Sequence, residues 1–98
     1  MKYLIINADG FGLSHGVNRG IFEVAKARSI SSVSVNANFP ACEEISSFQD
    51  EFPYISVGVH LNPVVGRSIL KADRIPTLLN SRGQFWGPLF RRRLLGGK

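Results

Sequence analysis

Three short polar stretches in the 98-residue chain hold the side chains best suited to chemistry: Asn7-Ala8-Asp9, Asn36-Ala37-Asn38 and His60-Leu61-Asn62. An acid, an imidazole and several carboxamides can perform general acid/base catalysis or hold a hydrolytic metal, provided that the fold brings them together. Each stretch ends a run that reads as a β-strand. In parallel α/β sheets the loops at the carboxyl ends of the strands converge, so Asp9, Asn38, His60 and Asn62 are expected along one rim. Asp9 and His60 are the candidate acid/base or metal-ligating groups there, and Asn38 and Asn62 the candidate substrate contacts. Spacing alone leaves a plainer reading open for each. Asp9, in Asp-Gly-Phe-Gly, can bond its own turn, and His60 can be a satisfied structural histidine. Asn7, Asn36, Asn38 and Asn62 can satisfy loop backbone, while His15 reads as a surface residue near a helix start. Gly10-Phe11-Gly12 supplies two glycines of a dinucleotide-binding loop, but His15 stands where the third belongs and no acid ends the second strand.

The elements that must position these groups are legible from periodicity. Lys2 to Asn7 is a nearly continuous apolar run, the pattern of a strand buried on both faces, and Gly10-Phe11-Gly12 is expected to break it. Ser14 is placed to cap a helix in which Val17, Ile21, Val24 and Ala25 recur at helical spacing through about Ala27. Ser32 to Asn38 alternates as a second strand. Pro40 then suits a helix start, and 41–48 forms a short amphipathic helix with Cys42, Ile45 and Phe48 on one side and Glu43 and Glu44 in its first turn. Pro53 ends that region, and Tyr54 to Leu61 alternates as a third strand with Ile55, Val57 and Val59 opposed to Ser56, Gly58 and His60. The order βαβαβ predicts an α/β fold with parallel strands. After Asn62 the periodicity fades, leaving a turn at Asn80-Ser81-Arg82-Gly83 and the opening of a helix at Arg91 to Leu95. Residues 1–98 are thus one partial domain, a core over about 1–62 followed by a loop and a helix start over 63–98. Three parallel strands leave two open edges and too little helix for both faces, so the chain reads as a fragment completed by further strands or a partner.

Composition sets the outer limits. With 44% hydrophobic and 19% charged residues, seven Phe and one Trp, the chain can build one modest core, which excludes wholesale disorder and a two-domain enzyme. A single cysteine, Cys42, cannot close an internal disulfide, and the expected compartment is the cytoplasm. No apolar run approaches the roughly 18 to 20 residues of a membrane span. Residues 1–66 hold four Lys or Arg against six Asp or Glu, net −2, whereas residues 67–98 hold eight against one, net +7. A basic tail attracts polyanions in general. Arg91, Arg92, Arg93 and Lys98 lack interleaved stacking residues beyond Phe85, Trp86 and Phe90, so nucleic acid is not the expected partner.

Leu4-Ile5-Ile6-Asn7-Ala8-Asp9-Gly10-Phe11-Gly12-Leu13-Ser14, followed by Val17-Asn18-Arg19-Gly20-Ile21, closely resembles the opening of the YdjC-like carbohydrate deacetylases, the group that includes chitooligosaccharide deacetylase and a hopanoid-biosynthesis deacetylase. Val57-Gly58-Val59-His60-Leu61-Asn62 is similar to the family's histidine-bearing third strand, and Arg74-Ile75-Pro76-Thr77-Leu78-Leu79 with Gly83-Gln84-Phe85-Trp86 to its following loop. The resemblance implies the N-terminal portion of an incomplete (β/α) barrel-like fold and metal-dependent hydrolysis of N-acetyl groups on amino sugars, with Mg²⁺ or Zn²⁺. By the same resemblance Asp9 corresponds to the catalytic base and His60 to a metal-binding histidine. The family follows its first aspartate with a second that ligates the metal, where this chain has Gly10, and a further histidine ligand falls beyond the equivalent of Lys98. Hydrolytic sites usually have about three protein ligands plus water, so metal binding by this chain is expected to be weak or absent and the chain alone inactive. The other expectation is a non-catalytic sugar-binding or assembly module, a homo-oligomer or one completed by a partner chain.

Overall fold

Alternating apolar side chains need a shared face to bury, and the computed structural model, which describes residues 1–87, supplies it in a first unit spanning Met1–Leu61. Its elements are β1 (Asn7–Phe11), α1 (His15–Lys26), β2 (Ser32–Val35), α2 (Ile45–Glu51) and β3 (Ser56–Val59). The strands are parallel in the order β1-β2-β3, with Asn7 opposite Ser32, Ala8 opposite Val33, and Val33 opposite Val57. Ile21 and Ala25 of α1 and Phe48 of α2 join Phe11, Val33, Val35, Phe52 and Ile55 in one core cluster. Both helices therefore cover the same face of the sheet. Successive strands are added on one side with the helices outside, the progression that closes a (β/α) barrel when continued.

The first strand lies later than predicted. Lys2 to Asn7 was the expected span, but β2 begins only at Ser32, and its register pairs it with Asn7 onward. Tyr3, Leu4 and Ile5 are accordingly 87%, 80% and 77% exposed, and Ile6 is tied to the start of β2, its carbonyl accepting from the amides of Ser31 (2.9 Å) and Ser32 (3.3 Å). Gly10-Phe11-Gly12 does not break the strand before the core. The register shifts between Ala8 and Phe11, a bulge that returns the Phe11 ring to the helix side, where it is fully buried.

Other differences are of length and rotation. β2 and β3 stop at Val35 and Val59, short of the predicted Asn38 and Leu61, and Val59 is exposed, not buried with Ile55. In α1 the Ser14 hydroxyl accepts from the Val17 amide at 3.1 Å, as a cap should. The buried stripe there is Asn18, Ile21 and Ala25 with Phe22 packed beside it, and Val17 and Val24 face outward. The predicted helix over 41–48 is a 3₁₀ turn, Pro40–Glu44, leading into α2. The three-residue spacing of Cys42, Ile45 and Phe48 suits the three-per-turn 3₁₀ geometry as well as an α-helix.

The second unit begins at Asn62. Its described residues form 3₁₀ turns at Ala72–Arg74 and Pro76–Leu78 and antiparallel bridges Arg67 to Gln84 and Leu79 to Phe85. The predicted turn is present: Asn80 Oδ1 accepts from the amides of Arg82 (2.9 Å) and Gln84 (3.1 Å). The helix expected at Arg91 to Leu95 lies outside the described residues. Among those described, no helix is long and apolar enough to cross a membrane.

Candidate functional site

Strand alternation sends Ala8 into the core and leaves Asn7 and Asp9 on the opposite face of β1, toward Ser32 and Ser34 of β2. The Asp9 bulge presents its backbone carbonyl to two donors. Asn36, buried just past β2, donates from Nδ2 at 3.1 Å and also reaches the Phe11 carbonyl at 3.3 Å. His60 prolongs the ladder of β3, its amide donating to the Val35 carbonyl at 2.8 Å, and its Nδ1 lies 2.8 Å from the Asp9 carbonyl oxygen. A carbonyl only accepts, so Nδ1 carries the hydrogen, and in the neutral ring the lone pair is on Nε2. The same hydrogen bond fixes the ring plane, as an outer partner does for a ligating or basic histidine.

Asp9 and His60, distant in sequence, are thus neighbours through the Asp9 backbone carbonyl and not through its carboxylate, and Asp9 lies in the middle of β1, which continues to Phe11, not at the strand end expected for it. The Asp9 carboxylate is exposed and accepts at Oδ1 from Asn7 Nδ2. Asn38 lies half-buried in the turn that follows β2. Asn62 falls in the second unit, where it organises its own loop: Oδ1 accepts from the amides of Val64 (3.2 Å) and Val65 (3.0 Å), and Nδ2 donates to the Val65 carbonyl at 2.9 Å. Those loop bonds are the plainer role that spacing allowed it, and Asn36 fills the same role at Asp9 and Phe11.

Asn18 was not singled out by its chemistry, yet it is fully buried and ties two rim loops together. Its Oδ1 accepts from the Gly12 amide at 2.7 Å, and its Nδ2 donates to the Ala41 carbonyl and to Glu44 Oε2, both at 2.9 Å. The signal was a carboxamide three residues before Ile21, on the stripe that α1 turns to the core. Glu44 Oε1 in turn meets Nδ1 of the exposed His15 at 2.9 Å. Gly12 completes the junction. It has φ +97°, and a Cβ there would lie 2.8 Å from the Asn36 carbonyl oxygen and 3.3 Å from Cys42 Cα. Gly12→Ala is therefore expected to cost at least about 2 kcal/mol, from the disfavoured backbone conformation and the contact with main chain. A lowered urea midpoint at unchanged m-value checks this, and an unchanged midpoint contradicts the packing described.

Among the described residues no three His, Cys, Asp or Glu side chains converge on a point where an ion would sit. His60 Nε2 and the Asp9 carboxylate are two donors, fewer than a hydrolytic metal site usually takes. The residues described do not by themselves fit a resident divalent ion.

A parallel sheet wound in sequence order, with the imidazole that follows its third strand hydrogen-bonded to the backbone of an acid-bearing residue in the middle of its first, defines the opening portion of a (β/α)-barrel-type α/β protein with a candidate site beside these strands. The chain belongs to the YdjC-like protein family, whose pattern it matches over residues 3–97. It is 36% identical over 85 residues to a carbohydrate deacetylase of Thermoanaerobacter pseudethanolicus, covering 87% of this chain and 34% of that one. It is 39% identical over 84 residues to a carbohydrate deacetylase of Geobacillus stearothermophilus, covering 86% and 33%. A chitooligosaccharide deacetylase of Serratia marcescens is 30% identical over 95 residues, covering 97% and 36%. The chain thus spans about a third of the length of these curated relatives. A crystal structure from Enterococcus faecalis, of a protein assigned to cellobiose-phosphate cleavage, superposes with a TM-score of 0.80 at 30% identity, covering 90% of this chain and 35% of that one.

Proposed function

We propose that this chain is the N-terminal third of a carbohydrate deacetylase, which in its completed form hydrolyses N-acetyl groups on amino sugars in the cytoplasm. The observation that carries the reading is the shared Asp9 carbonyl, which brings the imidazole of His60 to the residue bearing the only carboxylate of β1. In the reaction, water adds to the acetamide carbonyl while Asp9 accepts the water's proton, and the C–N bond then breaks as that proton is passed to the leaving nitrogen, giving acetate and the free amine. In this reading His60 Nε2 would be one donor to Mg²⁺ or Zn²⁺, the other donors coming from outside the described residues, and Asn38 contacts the sugar.

Completion by further strands, on the same polypeptide or on another, is part of the proposal. Tyr3, Leu4 and Ile5 before β1, and Val59 and Leu61 at the end of β3, expose apolar surface at the two outer strands. Mixing the 98-residue chain with a polypeptide covering the later two-thirds of the Geobacillus relative is expected to release acetate from N-acetylglucosamine oligomers when divalent metal is added. Robust release by the chain alone, or none from a mixture that sedimentation shows to be a stable complex, overturns this reading. The assembly-module reading draws on the same open strands, and it is favoured if the complex binds the oligomers without turnover.

Gly10 supplies a second prediction. A Cβ there would lie 3.1 Å from Val17 Cγ1, the tip of a side chain that can yield, and its φ is not positive. Gly10→Asp is therefore expected to fold and, in the complex, to raise Zn²⁺ affinity by at least about tenfold through an added carboxylate. Titration calorimetry checks this; equal affinities reject position 10 as a ligand position.

A further inference from the structure

The open face of the sheet carries a hydrogen-bonded set around Asp9 whose other members the mechanism above does not use. Asn7 and Asp9 are two apart on β1 and share that face. Asn7 Nδ2 donates to Asp9 Oδ1 and, with its other hydrogen, to Ser34 Oγ at 3.0 Å. The Ser32 hydroxyl donates to Asn7 Oδ1 at 2.7 Å. Ser32 is the register partner of Asn7, so three adjacent side chains on two paired strands converge on one carboxamide.

We propose that Asn7 is the positioning residue of Asp9, fixing the rotation of its carboxylate so that Oδ2 faces the reacting water; this rests on the reading of Asp9 as the base. An exposed carboxylate otherwise turns freely about its Cβ–Cγ bond, and each wrong rotamer misplaces the acceptor oxygen. The cradle has one consistent orientation. A carboxylate can only accept, so the Asn7 amide must present nitrogen to Asp9, which leaves its oxygen for the Ser32 hydroxyl. Both serines sit on β2, paired to β1, so the cradle is as rigid as the ladder itself. These hydrogen bonds are solvent-exposed and contribute little to folding, so their loss is read at Asp9 and not in the melting curve.

The first test is spectroscopic and needs no activity. In the full 98-residue chain, labelled with ¹⁵N and ¹³C, the Asn7 side-chain amide is expected to show a scalar coupling across the hydrogen bond to the Asp9 carboxyl carbon and slowed exchange with water. Ser34→Ala should weaken both signatures while backbone resonances of the core stay in place. An Asn7 amide with no coupling and solvent-like exchange overturns the proposal. The second test uses the completed complex: Asn7→Ala should lower kcat about tenfold or more at unchanged KM, and Asn7→Ser, which keeps a donor, should recover part of the loss. An unchanged kcat, or a loss carried by KM alone, overturns the proposal. If the coupling is present while the wild-type complex releases no acetate, the orientation of Asp9 stands and the deacetylase reading falls.

Discussion

Asp9→Ala in the completed enzyme is expected to lower kcat for acetate release by a factor of about 10² to 10⁴, the range in which a positioned general base contributes. The variant isolates the carboxylate. His60 Nδ1 and Asn36 Nδ2 both hold the Asp9 backbone carbonyl, which alanine retains, so the imidazole keeps its place and its tautomer when the side chain is gone. The bulge that aims position 9 also persists, because the buried Phe11 ring and the Asn36 contact to the Phe11 carbonyl anchor its far side. The measurements are kcat from initial rates of acetate release and the imidazole ¹⁵N resonances of His60. A large loss of kcat with unmoved His60 resonances is the expected pair of results. A fall of less than about threefold removes Asp9 from the base role and directs attention to His60 Nε2, the other proton acceptor on this rim.

How much of this was legible in the sequence depends on which force fixed each element. The alternation of Val33 and Val35 and the cap at Ser14 are local signals, and both hold. The nearness of Asp9 and His60 follows only in part from topology: parallel strands in sequence order bring β1 and β3 alongside β2, but Asp9 lies in mid-strand, and the bulge after Ala8 is what offers its carbonyl to the imidazole. What misled was Lys2 to Ile6. An apolar run marks a strand only where a neighbour pairs with it, and β2 offers register partners from Asn7 onward. The Asp9-Gly10 bulge was illegible for a related reason: a register shift belongs to two strands at once, and no pattern within one reveals it. Asn18 shows a third kind of limit. A carboxamide on a buried stripe reads as a blemish in the periodicity until its three partners, from residues 12, 41 and 44, are seen around it.

The largest effect on folding is expected at Phe48. Its ring is fully buried and stands at 5.4 Å from Phe11, 5.2 Å from Phe22 and 4.9 Å from Phe52, centroid to centroid, edge-on to the first two. Edge-to-face contacts of this kind add to area burial, and Phe48 is the one fully buried ring that meets the other three phenylalanines of the cluster, Phe22, which also meets three, being half-buried. Truncation to alanine should cost about 3 to 5 kcal/mol, a large part of what a domain of this size has available. Phe48→Ala is thus expected to be mostly unfolded by circular dichroism at 37 °C, Phe48→Leu folded with a lowered midpoint, and Phe22→Ala intermediate. The effect also reaches the site. Phe11 follows the Asp9-Gly10 bulge directly, so the ring that Phe48 clamps is what turns the Asp9 carbonyl toward Asn36 and His60. In Phe48→Leu, hydrogen exchange at the His60 amide, bonded to the Val35 carbonyl, should quicken with the global opening and not independently of it. Wild-type exchange rates at His60 in a destabilised Phe48→Leu chain would show that the rim is held by its own hydrogen bonds, with the aromatic cluster contributing nothing to its geometry.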